Sequence, residues 1–124
     1  MLPVGPLLHS LLRAAPDVAA LVGTRVYPVR LAQGAALPAV AYQQVSAPAP
    51  RRTRGCVLPA TPRYQLSLFA RTYAELDALD KAVQAALDGY EAPGVAIAYV
   101  NGFDQHDDRS EVYFRPTDYT VELS

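Results

Sequence analysis

The 124-residue chain has a single cysteine, Cys56, two histidines, one lysine and no tryptophan. A lone cysteine excludes an internal disulfide and any cysteine-rich zinc or iron-sulfur cage. Two histidines as far apart as His9 and His106 argue against a histidine-dominated metal site. No apolar run approaches the roughly 20 residues of a membrane-spanning helix. The opening Met1 to Pro6 lacks the basic start and continuous apolar stretch of a secretory signal, so the expectation is a protein that folds where it is made and does not touch membrane. Also missing are a glycine-rich phosphate loop with its lysine, a nucleophile elbow and a His-Glu-x-x-His helix. The expectation is a protein that is not an enzyme and uses no cofactor and no metal.

What is present suffices for one compact domain over residues 1–124. Hydrophobic residues make up 51% and charged residues 19%, with a formal charge of -1, a balance that disfavours both wholesale disorder and a polycationic nucleic-acid binder. The balance hides a segregation. Residues 1–71 carry eight arginines and one acid, Asp17, and sum to +7, whereas the remainder sums to -8. Such halves can neutralise each other within one fold, the plainer reading, or between neighbouring copies that meet head-to-tail.

Apolar positions Leu7, Leu8, Leu11 and Leu12 recur at helical spacing behind Pro6, and Pro16 closes that helix. Asp17 is placed to cap a second short helical turn over Val18 to Val22, ended by Gly23. Residues 24–38, interrupted by Pro28, Gly34 and Pro38, read as an extended arm or irregular loop. Strand formers occupy 40–46, and Tyr64, Leu66 and Leu68 alternate with Gln65 and Ser67 as a half-buried strand requires. Thr72 and Glu75 have the spacing of a capping box. The helix behind them carries Leu76, Leu79, Val83, Ala86 and Leu87 as one stripe, with Asp77, Asp80, Lys81 and Gln84 largely off it and Gly89 as its stop. Residues 95–100 form a third strand. The fourth, 111–123, has Val112 and Phe114 at even positions but Tyr119, Val121 and Leu123 at odd ones, which predicts a change of inward face near a bulge at Pro116. The fold class expected is α+β: a single-domain antiparallel sheet of about four strands with two helices packed on one face. A flexible basic loop is expected at about 47–62.

Two clusters stand out as candidate sites. Arg51, Arg52, Arg54 and Arg63 crowd the 47–62 segment and its exit, where they can meet carboxylates of a neighbouring subunit or partner protein, or simply be solvated. Contact with DNA phosphates is the weaker alternative, because no aromatics are interleaved. Asp104, Asp107 and Asp108 surround His106 in an expected hairpin loop. A divalent cation there would need oxygen ligands, but the cluster lacks the alternating order and central glycine of a calcium loop, so a solvated acidic turn is the better reading. His9 among leucines is expected at the core edge and Cys56 as a passive residue of the loop.

Several segments in order resemble the tail completion or tail terminator family of long-tailed phages and phage-like gene transfer particles. They are Leu21-Val-Gly-Thr-Arg-Val-Tyr-Pro28, Gly34-Ala-Ala-Leu-Pro-Ala-Val-Ala-Tyr-Gln43 and Tyr64-Gln-Leu-Ser-Leu-Phe-Ala-Arg-Thr-Tyr-Ala-Glu75. The helix carrying Ala82-Val83, Ala86-Leu87 and Asp88-Gly89, and the close at Asp118-Tyr119 and Val121, extend the resemblance over nearly the whole chain. Phe69 stands where members often carry a tryptophan. The resemblance implies a structural subunit of a homo-hexameric ring at the head-tail junction of a virion, with the host cytoplasm as its location before assembly. Its partners would be the tail tube protein and a head-side stopper or connector, with passing contact to packaged DNA in the lumen. A stopper or adaptor of the same junction is the nearest alternative, and a small ligand-binding α+β domain a more distant one. The resemblance implies no catalytic residue, so the interface nominations remain Arg51, Arg52, Arg54 and Arg63 with Asp104, Asp107 and Asp108.

Overall fold

A computed structural model of the chain describes residues 4–31, 34–46, 51–53, 56–58 and 61–123; residues 46, 51–53, 56–58 and 123 are described by backbone alone. Helix α1 (Val4–Ala14) turns Val4, Leu8 and Leu12 into the core, and α2 (Pro16–Val22) adds Val18 and Val22. The predicted cap of α2 is corrected: Ala15 is the N-cap and makes no side-chain cap bond, while Pro16 at the first helical position puts Asp17 inside the helix. Gly23, at φ +60°, ends it as expected. Helix α3 (Tyr73–Leu87) is capped by Thr72, whose hydroxyl accepts from the Glu75 amide at 3.2 Å. Glu75 returns the bond to the Arg71 amide at 3.3 Å, one residue earlier than in a standard capping box.

The sheet is larger than the four strands expected. The short edge strand β1 (Val26–Pro28) pairs in parallel with β2 (Ala39–Ser46). Beyond β2 come β5 (Arg63–Ala70), β9 (Val112–Leu123), β7 (Val95–Gly102) and β6 (Glu91–Ala92), hydrogen-bonded in that order, with β8 (Gln105–Asp107) also pairing β9. The extra strands are two or three residues long, too short for alternation to show in a sequence. The arm expected at 24–38 therefore begins as β1, and the Arg25 guanidinium donates to the Pro38 carbonyl at 2.9 Å to hold its two ends together. Within the expected 47–62 loop, β3 (Arg51–Thr53) and β4 (Cys56–Leu58) form a separate two-stranded antiparallel sheet.

Three helices, rather than the two expected, share one face of the large sheet, because residues 16–22 form a helix of their own that buries Val18 and Val22; Val40, Leu66, Leu68, Ile97, Tyr119 and Val121 complete the core. Among the described residues no helix is long and apolar enough to cross a membrane.

The predicted change of face in the last strand does not occur. From Ala70↔Tyr113 to Arg63↔Thr120 the β5 and β9 registers run in step, so Tyr113, Arg115, Thr117, Tyr119 and Val121 all face the helices. Phe114 lies on the other face. Pro116 causes no bulge because its ring nitrogen falls in the gap between β7, whose pairing ends at Gly102↔Thr117, and β8, whose pairing begins at Gln105↔Phe114. Its carbonyl accepts there from Phe103. The irregularity sits instead in β7, between Tyr99 and Asn101.

Gly102 lies at the tightest point of this junction. A Cβ there would come 2.9 Å from Thr117 Cγ2 and 3.2 Å from the Pro116 carbonyl oxygen. Thr117 is fully buried and its hydroxyl is committed to the Leu66 carbonyl at 2.7 Å, so it cannot yield. Gly102→Ala is expected to cost about 1–3 kcal/mol, the range of an overpacked core site, as measured by urea unfolding.

Candidate functional site

Arg115 is the one guanidinium among the described residues that is buried. It projects from β9 toward the first half of α3, where Nη1 donates to Asp80 at 2.7 Å and to Asp77 at 3.2 Å. Nε donates to Asp104, which follows β7, and Nη2 approaches the Tyr73 hydroxyl at 3.3 Å. The Tyr73 hydroxyl in turn donates to Asp104 at 2.8 Å, and the guanidinium carbon lies 5.6 Å from the Tyr73 ring centroid. Three separate elements meet on one cation.

Burial by itself would push the Arg115 pKa down, but the hydrogen bonds to Asp104, Asp80 and Asp77 outweigh it and the net shift is upward. Asp104 is held below the usual carboxylate range, first by the Arg115 bond and then by that of Tyr73. The bond to Asp104 raises the Tyr73 phenol. With every shift favouring the ion-paired state, the cluster holds fixed charges at neutral pH rather than passing protons, and its task is to tie α3, β9 and the β7–β8 joint together.

The sequence-nominated residues separate accordingly. Arg51 and Arg52 lie on β3, and Arg54 falls outside the described residues. Arg63 opens β5, with its guanidinium 3.9 Å from Asp118 and 42% of its side chain exposed, so this pair is a weak surface contact. Asp104 turns inward to Arg115. Asp107 and Asp108 stay exposed at the β8–β9 turn: Asp107 accepts from the Arg109 amide at 3.0 Å and Asp108 meets His106 Nδ1 at 2.9 Å. The Arg109 amide, and after it the Ser110 hydroxyl, keep Asp107 below its ordinary pKa. Among the described residues no group of three His, Cys, Asp or Glu side chains is placed to hold a metal ion. His9 lies at the core edge, its ring 6.2 Å from that of Tyr42.

The basic and acidic segments leave the sheet at opposite ends. The 47–62 connection joins Ser46 to Arg63, whereas the 108–111 turn lies beyond the Ala70↔Tyr113 pair. Seven residues of β5 separate these ends, about 23 Å at strand rise.

Between them, on the face away from the helices, lies a feature that the sequence reading missed. Phe69 and Phe114, paired across β5 and β9, stack at 5.8 Å with 19° between their planes. They floor an open groove of about 460 Å³ walled by Leu31, Leu37 and Val112. Arg71, Asp107 and Ser110 stand at its rim. Its signal in the sequence was Phe69, an aromatic in phase with the outward Gln65 and Ser67.

A family model for tail completion protein gp17 matches residues 6–115. The chain belongs to that family. Membership makes it a structural protein of a phage-type tail, with a fold that the solved structures share. A chain from the virion of a native gene transfer agent particle superposes with a TM-score of 0.71 at 19% identity, over 94% of this chain and 90% of that one. No curated protein matches the sequence.

Within this family member, the Arg115 cluster predicts two outcomes. Arg115→Met strands the buried Asp80 carboxylate and should cost about 3–5 kcal/mol by urea unfolding, while Arg115→Met with Asp80→Leu should recover most of that loss. Because the folded pKa of Asp104 lies below its unfolded value, its contribution is complete above the unfolded value and lost as pH falls through the folded one. Melting temperatures recorded from pH 7 down to pH 2 should therefore fall less steeply below about pH 4 in Asp104→Asn than in the parent.

Proposed function

We propose that the chain is a tail terminator: the subunit of a homo-hexameric ring that caps the head-proximal end of the tail tube and joins it to the head-side connector. The observation that carries this reading is the placement of a basic segment and an acidic turn at opposite ends of one sheet. Complementary surfaces on opposite ends of a subunit can join copies head-to-tail, an arrangement that generates rings when the rotation closes. Family membership supplies the particle in which such a ring serves. A solved structure that shares the fold comes from a gene transfer agent virion. The ring's role is mechanical, with the tube protein below it, the connector above it and packaged DNA passing through the lumen. Arg51, Arg52, Arg54 and Arg63 on one copy face Asp107 and Asp108 of the next. Asp104, whose carboxylate already holds Arg115, supports that acidic end from within.

Electron microscopy of particles from cells lacking the gene, against complemented cells, tests the role. DNA-filled heads accumulating apart from tails of uncontrolled length are the expected result. Normally joined particles would overturn it, and a ring found on tailless heads would assign the chain to the stopper or adaptor position instead. In complementation, Arg51→Glu with Arg52→Glu and Arg54→Glu should lower the yield of joined particles, and raising the salt should lessen that defect, because the repulsion of the new glutamates from Asp107 and Asp108 is screened.

A further inference from the structure

We infer that the Phe69–Phe114 groove is the receptor for the β3–β4 hairpin of a second copy of this chain, an inference that rests on the ring reading above. The groove presents an apolar floor and walls on an otherwise open sheet face, with Phe69, Phe114, Leu37 and Val112 each only half-buried. Such a strip calls for an apolar segment to cover it. Its rim, at the β8–β9 turn, carries Asp107, Asp108 and Glu111 against Arg71 and Arg109. The fitting occupant is therefore a short segment with apolar residues beside an excess of positive charge.

The chain supplies one such segment. Residues 51–58 read Arg-Arg-Thr-Arg-Gly-Cys-Val-Leu, three cations and no acid followed by two aliphatic side chains, and the backbone of 51–53 pairs with that of 56–58 in a two-stranded sheet separate from the large one. That unit leaves the sheet between Ser46 and Arg63, six residues of β5, or about 20 Å, from the Phe69 end where the groove lies. A donor at one end and its receptor at the other give a head-to-tail contact, which each copy can make once as donor and once as receptor. Charge draws the hairpin to the rim, and burial of aliphatic side chains on the aromatic pair holds it.

The single native cysteine lies on the hairpin, so the contact can be trapped. Ser110→Cys places a second thiol on the groove rim, in tails purified from complemented cells. Mild oxidation is expected to give a ladder of covalent multimers on a non-reducing gel, and Ser110→Cys with Cys56→Ala to give none. In the Ser110→Cys background, Phe114→Ser should reduce the ladder roughly tenfold, as loss of a central aromatic anchor does. Asp107→Lys with Asp108→Lys should also reduce it, and adding Arg51→Glu with Arg52→Glu should restore it, a rescue that general misfolding would not produce. A compact disulfide-closed monomer in place of the ladder would show the hairpin in its own chain's groove. Tails that contain the chain and give no covalent multimer would place something else there. Either result overturns the inference while leaving the ring reading intact. Failure of the ring reading itself looks different: the chain is then missing from the tail fraction.

Discussion

A single buried cation organises the sheet-helix junction. Arg115 cannot shed its charge, and once it is folded under α3 it must find carboxylates there. Asp80 meets it from the buried face of the helix, Asp77 from the helix flank and Asp104 from the end of β7. Those contacts set the rotation of α3 over the sheet and the path of the chain at residues 103 and 104. Shifting β9 by one residue would turn Arg115 to the open face and leave Asp80 buried without its cation, so the cluster selects register as much as it adds stability.

Register in turn decides what the other face displays. With Tyr113, Arg115, Thr117, Tyr119 and Val121 committed to the helices, Phe114 has only the open face left, where the step-matched β5 strand brings Phe69 opposite it. The aromatic groove is thus a consequence of the same alternation that buries the cation. Gly102 and Pro116 complete the arrangement: the glycine permits close approach to Thr117, and the proline occupies the gap between β7 and β8 where no amide is needed.

The tail completion family sets the setting in which this asymmetry has a use. A tail protein that joins others in a particle needs a core that stays intact when it does so. One face of this sheet is sealed by three helices, and the other carries the apolar strip of Phe69 and Phe114. The basic 47–62 connection and the turn that carries Asp107, Asp108 and Glu111 close opposite ends of neighbouring strands.

The amino-acid sequence by itself determined the apolar faces of α1 and α3, the capping of α3 at Thr72, the alternation of β5, the separation of charge and, through its ordered motifs, the family. These depend on neighbours three or four residues apart in a helix, or two apart in a strand, and such spacings are legible in one dimension. Asp80 shows the limit. It stands four residues after Leu76 and three before Val83, on the apolar stripe itself, yet its charge argued for solvent until Arg115 was seen across from it. The last strand was misread in a matching way: Val112 and Phe114 at even positions suggested a change of inward face near Pro116, when the phase was continuous and Arg115 faced inward with its charge paired. Only the tertiary structure could decide both, because the energy of burying either group depends on a partner 35 residues away. The short strands β1, β6 and β8 and the Phe69–Phe114 groove belong to the same class, since each exists only through a pairing that the linear order does not display.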